Sequence, residues 1–587
     1  MNNKKWRLAE IVPEEFVRVF PELLPVLAQL LWNRGIKTRA EVEVFLEPDW
    51  SRDTHDPFLF QQMRPAVDRV FLALEKGQVI TIHGDYDADG VCGTAVMFST
   101  LRDICRGLKF DEKKLTTYIP HREREGYGLF PATADHLHEH EKTNLLITVD
   151  CGISNADAVA RARELGMDTI ICDHHAVPEV LPEALILHSQ VPGELYPNKV
   201  MCGAAVAFKL ASALIIEARR RGANFSEGYE KWLLDLVAIA TVTDIMPLFG
   251  ENRVLETYGL TVLKKTRRLG LKKLLVAAGV KNNAIDSWTI GFQIGPRLNA
   301  AGRMDHADPA FRLLVSEDEQ EAEFLASELQ AANVTRQKRS NEIYKEALAQ
   351  IGEPGDQKIL IAAGEGWPAG LVGLVAGKIS NNYSRPVIIA AKDGDKFTGS
   401  GRSIPGFDVT AALTKASVFL DRFGGHPQAC GFSATTEEKF KQAMEVVVAE
   451  AEKILKPEDL VPEILIDAEI PLKAADWDLE LAISKMAPFG EGNRSPIFVS
   501  RGLQIVSFET MGLEGKHLRL SVRDLGEGII KKMIAFGFGS LTPDLRIGTS
   551  LDVAYEIGVN EWNGDRELQL KVVDLKITAS TTNLNRP

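Results

Sequence analysis

Between about residues 56 and 265, short β-branched and apolar runs alternate with stretches of helical periodicity. "QVITIH" (78–83) precedes "VCGTAVMFSTLRDI" (91–104), "NLLITVD" (144–150) precedes "NADAVARARELG" (155–166), and "MDTIICD" (167–173) precedes a loop. A later apolar stretch, "EKWLLDLVAIATV" (230–242), reads as a helix. Apolar strands joined through helices predict a mostly parallel sheet with helices covering it.

Residues 1–55 carry three short helical patterns that could cap a domain, and 315–352 reads as one long charged helix with no Pro or Gly before Gly352. After it "KILIAAG", "PVIIAAK" and "FTGSGRS" predict a second mixed sheet. From about residue 460 short alternating segments such as "HLRLSVRD" and "SLDVAYEIG" predict an all-β module of small-barrel size. The expected divisions are therefore 1–55, 56–314, 315–352, 353–457, 458–580 and a tail 581–587.

Composition narrows the class. The 587 residues fit roughly four domains by the usual length prior, and 45% hydrophobic with 25% charged residues is ordinary for a soluble chain. No apolar run approaches the roughly 18 residues a membrane span needs, and the lysines of "MNNKKWRLAEIVPEEF" have no apolar region behind them. We expect a cytoplasmic protein without a membrane segment. The six cysteines form no C-x-x-C pair, so neither a zinc ribbon nor a disulfide framework is indicated. A net charge of −13 argues against indiscriminate polyanion binding, although 218–221, 264–273 and 336–339 concentrate positive charge, as solvated helix faces or as a nucleic-acid track.

The chemistry sits at strand ends. "HGDYDADG" (83–90) places Asp85, Asp87 and Asp89 at alternate positions, where they repel one another unless a cation lies among them. A calcium loop starting at Asp85 needs a Glu at its twelfth position, which is Val96, and a helix where "QVITIH" reads as a strand. The following strands end in Asp150 and in Asp173, His174 and His175, and Asp244 closes an otherwise apolar helix. Alone, each is as easily a helix cap or a structural group. Together, four or five carboxylates and two or three imidazoles suit two divalent cations sharing a carboxylate, an arrangement fit for phosphoryl chemistry. Mixed N/O ligation points to manganese or magnesium.

These motifs resemble the DHH phosphoesterase superfamily, named for the triplet found here at 173–175. With "TVDCGIS", "CGAAVAFKL", "GPRLNAAGRM", "GSGRSIPGFD", "FGGHPQACG", "PFGEGN" and "EWNGDRELQL" in order, the resemblance narrows to the RecJ family of bacterial single-strand-specific exonucleases and covers about 80 to 575. It implies an α/β fold: a DHH-type parallel-sheet domain, a long connecting helix, a DHH-associated α/β domain that binds substrate, and a C-terminal OB-fold β-barrel. The implied activity is 5′-to-3′ hydrolysis of single-stranded DNA to mononucleotides with two Mn2+ or Mg2+ ions, in recombination and repair.

By motif, His83, Asp87 and Asp150 would hold one ion, and Asp89, Asp150, His174 and Asp244 the other, with His175 at the scissile phosphate. Asp85 and Asp173 would orient ligands, Asp85 through His83. Gly424, Gly425 and His426 would approach the strand; Ser400 and Arg402 would grasp a terminal phosphate, with Arg122, Arg297 and Arg303 as further phosphate contacts. Lys516, His517, Arg519 and Trp562 are weaker candidates on the barrel. The implied partners are single-stranded DNA with a free 5′ end, a single-strand-binding protein and a RecQ-type helicase, for a monomer that engages no membrane. "GWPAGLVG" lacks a histidine common after the Trp, and Pro427, Gln428 and "GNRSP" also depart from the family pattern. The alternatives are a DHH phosphodiesterase of short oligonucleotides or cyclic dinucleotides, and a noncatalytic DHH scaffold in a replication complex.

Overall fold

The computed structural model describes residues 4–281, 284–562 and 565–578. The chain forms two compact units: residues up to Asp49 join those from Glu463 onward, and Trp50–Pro462 forms the other.

In the first unit a strand, β1 (Lys5–Leu8), precedes three short helices. In the second, β2 (Val79–Gly84), β3 (Leu115–Tyr118), β4 (Thr143–Val149), β5 (Asp168–Cys172) and β6 (Leu185–Leu187) form an all-parallel sheet in the order β3-β2-β4-β5-β6. Its register aligns the chemistry. His83 pairs with Thr148, and Val149 with Cys172. Three further backbone bonds extend the ladder past the strand ends: Asp85 N to Val149 O, Asp150 N to Cys172 O, and Asp173 N to Leu187 O. The acids that follow the strands therefore lie side by side at one edge, the carboxyl end where open α/β sheets place ligands.

Helix Ala88–Leu108 packs against Gly203–Arg220 and Leu234–Thr243, forming the main core with the sheet. Small residues permit the approach: a Cβ on Gly93 would sit 3.0 Å from Ala204 Cα. The sequence reads 230–242 as one helix, but Tyr229–Leu233 is a 3-10 turn leading into it.

The long helix spans Glu319–Ile351, about 50 Å at 1.5 Å per residue. Asp318 caps it by accepting from Glu321 N at 2.7 Å. It contacts helix Gly295–Met304 on one side and helix Ala369–Tyr383 with β7 (Leu360–Glu365) on the other, so it joins the two lobes of this unit. The second lobe's sheet adds β8 (Val387–Asp393), β9 (Lys396–Arg402), β10 (Arg422–His426) and β11 (Ala429–Ala434), ordered β10-β11-β9-β8-β7.

In the first unit β12 (Glu463–Ile466) pairs in parallel with β1, so the N-terminal segment belongs to the same unit as the C-terminal barrel. After β13 (Ala468–Glu469), the strands β14 (Phe498–Met511), β15 (His517–Arg523), β16 (Ile530–Ala535), β17 (Ser550–Trp562) and β18 (Asp565–Thr578) close a five-stranded barrel through β14–β17 pairing. Among the described residues no helix is long and apolar enough to cross a membrane.

Candidate metal centre

Asp87 caps helix Ala88–Leu108, its Oδ1 accepting from Asp89 N at 2.9 Å and Gly90 N at 3.2 Å. The loop folds tightly over the first turn: a Cβ on Gly90 would lie 2.5 Å from Asp85 O, so only glycine fits. Asp89 points at the start of the next helix, where Gly203 N and Ala204 N donate to its two oxygens at 2.6 and 2.8 Å. Free N–H groups at a helix start favour a carboxylate. Gly203 is as constrained as Gly90, since its Cβ would meet Asp150 Cβ at 2.6 Å.

Asp150 has φ 63°, a left-handed conformation that Asp tolerates. His174 Nε2 lies 3.1 Å from Asp150 Oδ1, 3.5 Å from Asp244 Oδ2 and 3.7 Å from Asp89 Oδ2. Asp244 caps the C-terminal end of its apolar helix, and Ile245 behind it has φ 57°, an outlier for a β-branched residue. Three sets of donor atoms lie within 4.8 Å of one another: Asp85, Asp87 and Asp150; Asp89, His174 and Asp244; Asp150, His174 and His175.

Whether these residues suit cations is answered by their unmet bonding. His83 Nε2, Asp85 Oδ1, Asp150 Oδ1, His174 Nε2 and Asp244 Oδ2 are buried without a hydrogen-bond partner. Such atoms are costly unless something satisfies them. Burial, then repulsion among the acids, holds Asp85 and Asp150 well above the usual carboxylate range, Asp89 at about 6 and Asp244 at about 9. Burial lowers His83 and His174 to about 4, leaving neutral imidazoles that can ligate. A set of anionic oxygens and neutral nitrogens lacking only positive charge fits divalent cations.

Asp173 has another role. Its Oδ1 accepts from His174 N at 2.7 Å, His175 N at 3.2 Å and His175 Nδ1 at 2.8 Å, and its Oδ2 from Ile153 N at 2.9 Å. Burial alone would raise this carboxyl, but the bonds to His175 outweigh it and bring it to about 2. His175 is correspondingly raised, burial pulling it down less than Asp173 lifts it. Asp85, expected to orient His83, instead joins the oxygen cluster, while His83 Nδ1 lies 3.4 Å from Cys151 Sγ. The loop's turn over Gly90 carries the Asp85 side chain toward Asp87 and Asp150 rather than along the strand.

The second lobe brings cations to the same region. In "GSGR" Gly399 and Gly401 face inward, where a Cβ would strike Phe432 and Cys430, so Ser400 and Arg402 share the opposite face. Ser400 Oγ donates to Cys430 O at 2.9 Å and accepts from Arg402 Nη1 at 2.8 Å. Gly373 allows the adjoining helix to come close, its Cβ position being 3.0 Å from both side chains. Arg303 bonds Gly370 O at 3.1 Å, and burial with repulsion from Arg122, Arg336 and Arg402 lowers it to about 10. Arg122 stands over the Tyr86 ring at 4.7 Å. Repulsion among buried guanidiniums marks a place built for an anion.

Gly425, at φ 142°, lets β10 turn into β11, since a Cβ would strike the backbone at Ala429 and Cys430. Gly424 has open space around it, and the exposed His426 acts electrostatically on His174 from across the lobes. Arg297 is engaged elsewhere, with Gln330 at 2.7 Å. Among the divergent residues, Pro368 stands at the N-cap of helix Ala369–Tyr383, and Pro427 O and Gln428 O accept from Val409 N and Ser403 N.

Some members of the basic runs form ion pairs, such as Arg221 with Glu217, Lys273 with Glu319 and Glu323, and Arg339 with Glu342. On the barrel Lys516 is exposed, Arg519 pairs with Glu509 and His517 packs on Phe536; the Trp562 side chain lies outside the described residues. Tyr127, which the sequence did not single out, bonds Asp150 O at 3.1 Å and the His175 ring at 2.9 Å. Asn299 is a second such residue, accepting from Ala88 N at 2.9 Å.

Comparison with known proteins agrees along the whole length. Residues 79–241 match the DHH family, N-terminal domain, 356–453 the DHHA1 domain and 466–574 the RecJ OB domain. The single-stranded-DNA-specific exonuclease RecJ of Bacillus subtilis is 35% identical over 562 residues, covering 95% of this chain and 68% of that protein. RecJ of Salmonella typhimurium is 32% identical over 585 residues, covering 96% and 97%. The crystal structure of Thermus thermophilus RecJ with Mn2+ superposes with a TM-score of 0.82 at 29% identity, covering 98% of this chain and 80% of that one. Its Mg2+ complex gives 0.77 at 27% identity, covering 98% and 79%. With three domain matches in order and every strand-end acid in place, the chain belongs to the RecJ family of single-stranded-DNA-specific exonucleases.

Proposed function

We propose that this chain hydrolyses single-stranded DNA from a free 5′ end, releasing mononucleotides with the help of two Mn2+ or Mg2+ ions, in recombination and repair. The observation that carries the reading is the set of five buried ligand atoms without hydrogen-bond partners, four at the strand ends and one on Asp244 at a helix end, in the same unit as the lobe that presents Ser400 and Arg402. Asp87 and Asp150, which cluster with Asp85, hold one ion together with His83, assigned by its motif, and Asp89, Asp150, His174 and Asp244 hold the other. When bound, the ions supply Lewis-acid activation of water and neutralise charge on the phosphate.

The chain's own groups bind and position. Arg402, Ser400, Arg303 and Arg122 take the terminal phosphate, with planar guanidiniums matched to its oxygens. His426, between the glycines of β10 and the turn, donates to a phosphate further along. Asp173 accepts from His175 Nδ1 and favours the imidazolium, so the proton on Nε2 can pass to the leaving oxygen while Nδ1–H stays bonded to Asp173. The Tyr127 hydroxyl, 2.9 Å from Nδ1 and 3.1 Å from Nε2, helps to hold the same ring.

Our domain reading keeps the divisions at 55/56, 314/315, 352/353, 457/458 and 580/581; the separation of two compact units after Asp49 and after Pro462 supports the first and fourth to within a few residues. The chain acts as a cytoplasmic monomer with a single-strand-binding protein and a RecQ-type helicase that supply the unpaired strand. Incubation in Mn2+ with single-stranded DNA, a dinucleotide and a cyclic dinucleotide tests the reading. Rapid loss of the long strand with the cyclic compound untouched supports it; preference for the cyclic compound would overturn it, and no hydrolysis of any would favour the scaffold alternative.

A further inference from the structure

The segment leading into helix Gly295–Met304 presents two large rings to solvent. Trp288 and Phe292 are 57% and 66% exposed, and they stack with centroids 5.3 Å apart and planes inclined by 24°. Their backbone is firmly held. Asp286 accepts from Thr289 N at 2.8 Å and Thr289 Oγ1 at 2.7 Å, and Ile290 and Ile294 are fully buried beneath. Two glycines seat the segment on the last turn of helix Leu234–Thr243: a Cβ on Gly291 would be 3.6 Å from Val242 Cγ1, and one on Gly295 would strike Thr243 Cγ2. That turn ends in Asp244, and Ile245 beyond it is 67% exposed. The turn Ile290–Ile294 is widened into a π-helix, a departure found often at functional sites.

We propose that Trp288 and Phe292 form a stacking platform for the bases of the strand entering the metal centre, an inference that rests on the proposed action on single-stranded DNA. The rings stand on a segment whose Gly291 and Gly295 are seated against Val242 and Thr243, the turn that ends in the ligand Asp244, which ties the platform to the metal centre through the backbone. Aromatic faces accept any base, because every base has a π-face. In a duplex those faces are occupied by neighbouring pairs, so the platform selects unpaired strands, while the arginines around Arg402 grip phosphate irrespective of pairing.

Binding of fluorescently labelled oligothymidine, with and without abasic sites, is measured by anisotropy in EDTA, where no strand is cut. For Trp288→Ala and Phe292→Ala, affinity for the normal strand should fall by roughly tenfold per ring, while Trp288→Phe keeps most of it. The abasic strand should bind the parent protein more weakly and be insensitive to both substitutions. The slope of log affinity against log salt should stay unchanged, since no phosphate contact is removed. Equal weakening for normal and abasic strands, or no weakening for either, would overturn the platform. Failure of the parent protein to bind any oligonucleotide would overturn the functional reading with it.

Discussion

Gly203 shows how tightly single positions are set. Its backbone N–H holds Asp89, and its missing Cβ leaves room for Asp150, 2.6 Å from where that atom would sit. Gly203→Ala should cost about 1–3 kcal/mol, the range for overpacking, seen as a lower denaturation midpoint with an unchanged m value, and should weaken Mn2+ binding in titration. Unchanged metal affinity would show that Asp89 and Asp150 tolerate displacement. At this scale the ligands were legible because acids and histidines at strand ends are unusual side chains in a recognisable place. Gly203 N and Ala204 N were not, because a backbone donor leaves no mark in the sequence. Tyr127 and Asn299 escaped for a different reason: a tyrosine in a loop or an asparagine in a helix has many uses, and only the fold shows which one applies.

Among the elements, helix Gly250–Leu263 carries an unusual residue. Glu256 is fully buried, neither oxygen has a hydrogen-bond partner, and burial pushes its carboxyl well above 4.5. The folded chain keeps a proton that the unfolded chain loses, so stability falls as pH rises past about 4.5, by up to ~1.4 kcal/mol per pH unit until the folded group ionises. Glu256→Gln removes that slope. Urea denaturation should find the variant no more stable near pH ~4 and increasingly more stable toward pH ~8; parallel curves would mean that Glu256 has charge compensation in the fold. The long helix was legible within a few residues, expected at 315–352 and observed at Glu319–Ile351, because its periodicity runs unbroken. β1 was not, since four residues carry too little pattern and its partner β12 lies in the last quarter of the chain.

For the whole molecule, the metal-free centre is a reservoir of repulsion. Its raised carboxyls keep protons that the unfolded chain releases, so the metal-free protein loses stability as pH rises above the ordinary carboxylate range. Divalent cations replace those protons. Mn2+ at a hundredfold excess over its dissociation constant should add about 2.7 kcal/mol per site, and the thermal shift should be larger near pH 8 than near pH 6, where Asp89 and Asp244 still compete for protons. A shift independent of pH would mean that the acids are not the ligands. The order of lobes, connecting helix and barrel was legible from periodicity and motifs, while the attachment of the N-terminal segment to the barrel depends on pairing across nearly the full chain.

The central claim is directional, metal-dependent cutting of unpaired DNA, and a 5′-labelled single strand followed through the first seconds in Mn2+ tests it most directly. We predict that labelled mononucleotide is the first product, that a blunt duplex survives, and that Asp150→Ala, though folded, releases nothing. Label appearing last, in ever shorter fragments, would place attack at the 3′ end and contradict the account.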